Sequence, residues 1–397
     1  MNNMMEPKIR FKGFEGEWKA PLFSEMVERI SASGQAGMLP GVEFEDIASG
    51  EGCFNKNIYQ KECHKYGKLF YEGDILFGKL RPYLKNIILA DFNGVAIGDF
   101  WVLRSKGLDE KYLYTLVNSE SFLKVANISS GSKMPRADWN LVSTTKFVVP
   151  SAKDEQKAIG KYFTSLDSQI SASTSRLTSL KQMKAASLQA MFPQKGETVP
   201  KIRFKGFEGE WTWLKLGDIS EQVKRKAPIN STAPVMMISA LNGFINQSEK
   251  YSDNNAGSSL ANYTLLKKGE LSYNHGYSKT RNFGSCFNLL VEEARIPFVY
   301  HSFRLTNDND SFYAYYLNSG TKDKDLKRLV SSTARMDGLL NISFKNYMEL
   351  SVPHPSLAEQ QAIASYFTSL DRQISLQSQR LEKLKQIKSA CLDKMFV

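Results

Sequence analysis

The sequence predicts an α+β protein: two globular mixed α/β domains separated by two long helices, the helices forming an antiparallel coiled coil with pseudo-two-fold symmetry. Three observations lead there. Pro7-Lys8-Ile9-Arg10-Phe11-Lys12-Gly13-Phe14-Glu15-Gly16-Glu17-Trp18 recurs without a change as Pro200 to Trp211. A second pair of segments, Glu155 to Phe192 and Glu359 to Phe396, aligns without gaps, and 23 of its 38 positions are identical. Residues 19–150 and 212–354, between these pairs, share little. A duplication therefore kept the scaffold while the heads diverged. The boundaries read as a first head at 1–150, a long helix and linker at 151–196, a second head at 197–354 and a second long helix at 355–397.

In chain order, the repeated leading segment comes first. Its Lys8, Arg10 and Lys12, like Lys201, Arg203 and Lys205, could pass for phosphate clamps. Identity in both halves argues against reading a sequence. Phe11, Phe14 and Trp18 are expected instead to anchor the start of each head against the scaffold. The heads alternate polar and β-prone runs, such as Lys146–Pro150 and Met348–Pro353, with Gly, Asn, Asp and Ser turns.

Each head ends in a proline-terminated run, after which Ser151/Asp154 and Ser356/Glu359 read as helix caps. Apolar residues then fall on a heptad. Ile159, Leu166 and Leu180 take one seam position; Phe163, Ile170, Leu177 and Met191 take the other. The second helix repeats this with Ile363, Leu370 and Leu384, and with Phe367, Ile374, Leu381 and Met395. A lone stripe of this kind usually packs on a domain core. Two matched stripes favour pairing with each other, and duplicated copies associate most simply about a two-fold axis, hence antiparallel. Polar seam residues Ser173/Gln377 and Lys184/Lys388 would help fix the register.

Composition bounds the function. The 397 residues are 42% hydrophobic and 12% aromatic, enough for real cores. The net charge of +11 points to a polyanionic partner, because Lys and Arg gain affinity by releasing phosphate counterions. The N-terminus lacks the apolar segment of a signal peptide, and no run is long enough to span a membrane. A cytoplasmic protein with no membrane partner is expected. Cys53, Cys63 and His64 match no zinc spacing, and Cys286, Cys391, His275, His301 and His354 stand alone. No phosphate-binding loop, Asn-Pro-Pro-Tyr or Asp-Pro-Pro-Tyr motif, Gly-rich cofactor loop or nucleophile triad is present, so no metal site, cofactor or catalytic residue is assigned to this chain.

A helix of about 38 residues is roughly 57 Å long, and one turn of B-DNA is about 34–36 Å. An antiparallel pair would put one head at each end, suited to two half-sites on double-stranded DNA with a spacer set by helix length. Because the heads differ, the half-sites should differ. Basic polar loops are the candidate reading surfaces. The first head offers Lys79, Arg81 and Lys85, with Ser132, Lys133 and Arg136. The second offers Asn274, His275, Tyr277, Ser278, Lys279 and Arg281, with Arg335. Arg reads guanine bidentately and Asn reads adenine, while Ser and Lys hold phosphates.

The leading Pro7–Trp18 motif, Leu80-Arg81-Pro82, Ser130-Gly131-Ser132, Pro150 before Glu155-Gln156 and Ile159, and Leu166-Asp167 before Ile170 resemble the specificity (S) subunit of Type I restriction-modification enzymes. The likeness covers essentially the whole chain. The second head departs from it, with Tyr273-Asn274-His275-Gly276 in place of the Leu-Arg-Pro run. The resemblance implies an assembly in which a non-catalytic S chain binds two methyltransferase (M) subunits and, through them, restriction (R) subunits. S-adenosylmethionine, ATP and Mg would then sit on the partners. The outer helical faces and the backs of the heads would dock the M subunits. The rival readings are a two-headed DNA-binding regulator without enzymatic partners, a methyltransferase or nuclease in its own right, and a coiled-coil scaffold whose heads bind protein.

Overall fold

The computed structural model describes residues 6–37, 39–61, 63–128, 134–228, 230–249, 260, 262–330 and 340–396. The chain divides into two compact units, Met1–Leu177 with Leu376–Val397, and Thr178–Ser375. Each unit holds one head, the first stretch of the long helix that follows it, and the last stretch of the other long helix.

The first head is built on a four-stranded antiparallel sheet. Its strands β1 (Val27–Ile30), β2 (Ile75–Gly78), β3 (Ile87–Leu89) and β4 (Phe100–Ser105) lie in the order β1-β4-β2-β3. A smaller sheet of Ser33–Gln35, Tyr66–Phe70, Gly94–Ala96 and Gly41–Val42 accompanies it. Helix α1 (Glu110–Asn118) follows β4, capped by the Asp109 side chain, which accepts from the Tyr112 amide at 3.0 Å. The first long helix, α2 (Lys153–Ala190), closes the head.

The second head repeats this frame with different residues. Strands β5 (Ser220–Gln222), β6 (Leu271–Asn274), β7 (Ser285–Asn288) and β8 (His301–Leu305) lie in the order β5-β8-β6-β7. Helix α3 (Asp310–Leu317) follows β8 under an Asn309 cap, and the second long helix is α4 (Leu357–Met395). The proline-ending run of this head pairs as a strand, Ser351–His354 against Thr212–Lys215. Its counterpart in the first head makes only isolated bridges, Lys19 with Val149 and Leu22 with Lys146.

The repeated motifs lock each head to its helix. Arg10 donates from Nε and Nη2 to Glu155 at 2.6 and 2.8 Å, and also to the carbonyls of Glu15 and Gly16. Arg203 grips Glu359 at 2.7 Å through both nitrogens and donates to the carbonyls of Glu208 and Gly209. The next residue does a second job. Gln156 accepts from the Asp109 amide and donates to the Pro150 carbonyl; Gln360 accepts from the Asn309 amide and donates to the Pro355 carbonyl. The Glu-Gln pair thus fastens the long helix to the leading segment on one side and to the start of α1 or α3 on the other. Phe11 meets Tyr162 edge-on at 5.5 Å, Phe204 meets Tyr366 at 5.9 Å, and Trp18 and Trp211 are buried. The leading segments are anchors, as their identity in both halves implied.

Ser356 accepts from the Glu359 amide, as a cap should, whereas Ser151 instead donates to the Glu17 carbonyl. Gly160 permits close packing in the first unit: a Cβ there would lie 2.6 Å from the Tyr112 amide nitrogen. Ala364 holds the equivalent place in the second and is buried.

The heptad stripe serves two purposes. Ile159, Phe163 and Leu166 sit in the core of the first head; Ile363 and Phe367 sit in that of the second. Each such buried side chain contributes about 1.5–3 kcal/mol. Helix also packs on helix within each unit, in antiparallel sense. In the first, Tyr162 lies beside Cys391 (3.5 Å), Lys388 pairs with Asp167 (2.5 Å) and Gln377 donates to the Ser173 carbonyl (3.2 Å). In the second, Ser187 lies beside Tyr366 (2.9 Å) and Lys184 pairs with Asp371 (2.5 Å). The helices exchange roles between the units. Phe396, at the end of α4, packs against Tyr112 and Phe163 in the first unit; Phe192, just past α2, packs against Phe312 and Phe367 in the second. Of the remaining seam positions, Ile170, Leu177, Leu180 and Leu370 are buried, and Ile374, Leu381 and Leu384 half-buried.

Candidate nucleic-acid interface

In the first head the candidate residues gather where β2 ends. The register of β2 on β4 continues past the strands, and the Lys79 amide donates to the Asp99 carbonyl at 2.9 Å. The segment leading to residue 137 returns alongside. Leu80 bridges to Arg136, the Ala137 amide donates to the Lys79 carbonyl (2.9 Å) and the Arg81 amide to the Pro135 carbonyl (2.8 Å). Two loops far apart in sequence are thus brought side by side. Arg81 and Lys85 flank a single 3-10 turn, Pro82–Leu84, and both adopt left-handed backbone (φ 51° and 52°), which non-glycine residues seldom hold. Both are exposed. Lys85 also lines an open cleft of about 660 Å³ with Tyr83, Asn118 and Lys124. Ser132 and Lys133 lie outside the described residues.

Asp99 is the hub of this region. Its carboxylate takes Nε and Nη2 of Arg136 at 3.2 and 2.9 Å, and Lys79 Nζ at 3.3 Å. Burial alone would lift the Asp99 carboxyl, but Arg136 and Lys79 together hold it below the usual carboxylate range. Two further cations belong here. Lys68 donates to the Phe100 carbonyl at 3.1 Å, and Arg29 lies over the Trp139 ring at 4.9 Å. Burial, then the charges of Lys79 and Arg29, push the Lys68 ammonium down, against the pull of Asp99. Arg136 and Lys79 therefore pair with Asp99, and Lys68 stands close enough to feel the charges of Lys79, Arg29 and Asp99.

In the second head the same register brings the corresponding segments together with different side chains. His275 stands where Lys79 stands in the first, and the Leu340 amide donates to its carbonyl at 2.9 Å, as Ala137 does to Lys79. The His275 ring is buried, Nδ1 lying 2.7 Å from the Leu340 carbonyl and Nε2 2.9 Å from that of Val299. It stacks on His301 at 4.7 Å. Asn274 ties its side chain to the Gly276 amide and the Ile238 carbonyl. Beyond it, Ser278 and Arg281 close a short turn by exchanging backbone hydrogen bonds, with Tyr277 and Lys279 exposed. The Arg281 side chain is half-buried and donates to the Asn318 carbonyl; burial lowers its pKa, opposed by Asp323. Arg335 lies outside the described residues.

Sequence reasoning located both loops but missed Asp99, Arg29 and Lys68. Arg29 lies on β1, Asp99 just before β4 and Lys68 on the Tyr66–Phe70 strand of the smaller sheet, so only the folded sheets bring them near the loops. Among the described residues no group of three His, Cys, Asp or Glu side chains forms a metal set, and no helix is long and apolar enough to cross a membrane.

Two heads on one repeated frame, each closed by a long helix, define a duplicated architecture. Residues 208–386 match the family model of the Type I restriction modification DNA specificity domain. The specificity subunit of the Type I restriction enzyme EcoDI of Escherichia coli is 24% identical over 120 residues, 28% of this chain and 27% of that protein. The chain thus aligns with about a quarter of that curated relative's length. The crystal structure of the Type I restriction-modification S subunit from M. genitalium has the same fold, with a TM-score of 0.63 at 15% identity over 99% of both chains. The second head and most of its long helix thus match that domain family, and the whole chain shares the fold of a Type I S subunit.

Proposed function

We propose that this chain recognises an asymmetric bipartite target on double-stranded DNA, one half-site per head, and directs methyltransferase and restriction subunits to it. The observation that carries the reading is the repeated frame with unlike reading surfaces. The same strand order and the same backbone bond bring paired segments together in both heads, with Lys79 held by Ala137 in one and His275 by Leu340 in the other. A common frame gives both heads a common way of approaching the duplex; unlike side chains give them unlike half-sites. The net charge of +11 supplies the sequence-independent attraction to phosphates.

In this reading the chain contributes no catalytic group. S-adenosylmethionine, ATP and Mg belong to the M and R subunits, with two M subunits docked on the outer helical faces and the backs of the heads. The test is to map methylation in DNA from cells that carry this chain with its M subunit. One bipartite motif with two different halves is the expected result. A palindromic motif, or no methylation attributable to the chain, contradicts it.

A further inference from the structure

Asp99 is an anomaly on a basic face. A carboxylate among phosphate-binding cations repels the backbone of DNA, so its presence calls for a compensating role. The geometry around Arg136 supplies one. Both contacts from Arg136 use the Nε–Nη2 side of the guanidinium and meet the same carboxylate oxygen, at 3.2 and 2.9 Å. Nη1 lies outside that pair. The Arg136 backbone is held as well, by its bridge to Leu80 and by the adjoining bond from Ala137 to Lys79. An arginine fixed at both ends has already lost the rotamer freedom that a free one loses on binding. Its side chain is still 57% exposed. The end edge, Nη1 and Nη2, is the edge that donates to guanine O6 and N7.

We propose that Arg136 reads a guanine in the first half-site through its Nη1–Nη2 edge, and that Asp99 is the positioning residue that aims it. Lys79 takes the other oxygen of Asp99 and offsets the negative charge. The arrangement belongs to the first head alone. In the second head the strand register puts His275 and Val299 at the places of Lys79 and Asp99, so no carboxylate stands there. This inference rests on the DNA-reading function proposed above, and it assigns one base contact within it.

The test is selection by the full chain from a pool of randomised double-stranded oligonucleotides, run for the native protein, D99N, R136A and the double variant. The native chain should recover a bipartite motif with a guanine in the half-site that the first head reads. R136A should reduce the preference for that guanine about ten- to a hundredfold. D99N should reduce it about tenfold at the same position and leave the second half-site unchanged. The double variant should lose no more than R136A, because Asp99 acts through Arg136. Affinity of D99N for an unrelated fixed duplex should stay level or tighten, which a merely structural role would not produce. The proposal is overturned if D99N leaves the preference intact or weakens both half-sites alike. It is equally overturned if R136A lowers affinity without changing any base preference, the behaviour of a phosphate contact. A native chain that recovers no motif sinks the functional reading itself.

Discussion

At Arg10 a single guanidinium closes its own motif, through the carbonyls of Glu15 and Gly16, and grips a carboxylate 145 positions away in sequence. Glu155 is buried, its side chain 1% exposed, so truncating Arg10 strands a charge in a site with little water. Such a loss costs about 3 kcal/mol. The copy is better protected. Trp211 Nε1 donates to Glu359 at 3.1 Å, whereas the buried Trp18 Nε1 has no hydrogen-bond partner among the described residues. R10A should therefore destabilise the chain by about 1 kcal/mol more than R203A, the net worth of one hydrogen bond. Urea unfolding of the two variants measures this, and equal midpoints would refute it. The same residues mark what a sequence can reveal at this scale. That Arg10 is structural was legible, because an identical motif in two divergent halves cannot read two different targets. That Arg136 has a carboxylate partner was not. Asp99 lies 37 positions away, and nothing in a run of residues distinguishes it from any other aspartate. His275 and Arg281 read as exposed polar loop residues from composition, and only the folded strands reveal that His275 is buried and Arg281 half-buried.

The long helices were the most legible elements, because a period of 3.5 residues kept from Ile159 to Met191, and repeated from Ile363 to Met395, is a strong local signal. The sheets were hardly legible. Their strands are two to six residues long and pair across tens of positions, so no local pattern specifies their order. Sequence alone also could not decide between helix on core and helix on helix. The stripe does both, since Phe163 packs into the first head while Lys388 pairs with Asp167 one turn further along α2. The matched ion pairs of the two units differ in burial and in support. Asp371 also accepts from the Tyr315 hydroxyl at 2.9 Å and is 38% exposed. Thr115, at the equivalent place in α1, is turned onto the Lys111 carbonyl, and Asp167 Oδ2 has no hydrogen-bond partner among the described residues. Burial lifts the Asp167 carboxyl, and Lys388 opposes that lift. K388M removes the cation that pairs with a carboxylate only 16% exposed and should cost about 2 kcal/mol, between an exposed and a fully buried pair. K184M removes a more exposed pair whose carboxylate keeps Tyr315, and should cost about 1 kcal/mol. Thermal unfolding of the two variants decides the matter; K184M as harmful as K388M would show that the pairs are equivalent.

For the whole molecule, the proposed function has duplication link two half-sites through one length. The two helices, of 38 and 39 residues, are the longest elements of the chain, and each contributes its two ends to different units. In the proposed function they set the unread spacer between half-sites, so the spacer should follow helix length while the half-sites follow the heads. Deleting residues 170–176 from α2 and 374–380 from α4 removes one heptad from each at equivalent positions. The Lys388–Asp167 and Lys184–Asp371 pairs stay in mutual register, because both helices lose the same number of residues between them. The residues that fasten each head to its helix, Arg10 with Glu155 and Arg203 with Glu359, lie outside the deletions. Seven residues of helix span about 10 Å, which is about three base pairs of duplex. Methylation mapping with the shortened chain should return the same two half-sites separated by a spacer about three base pairs shorter. An unchanged spacer would mean that something other than the helices measures the distance. Altered half-sites would mean that the heads are not independent readers.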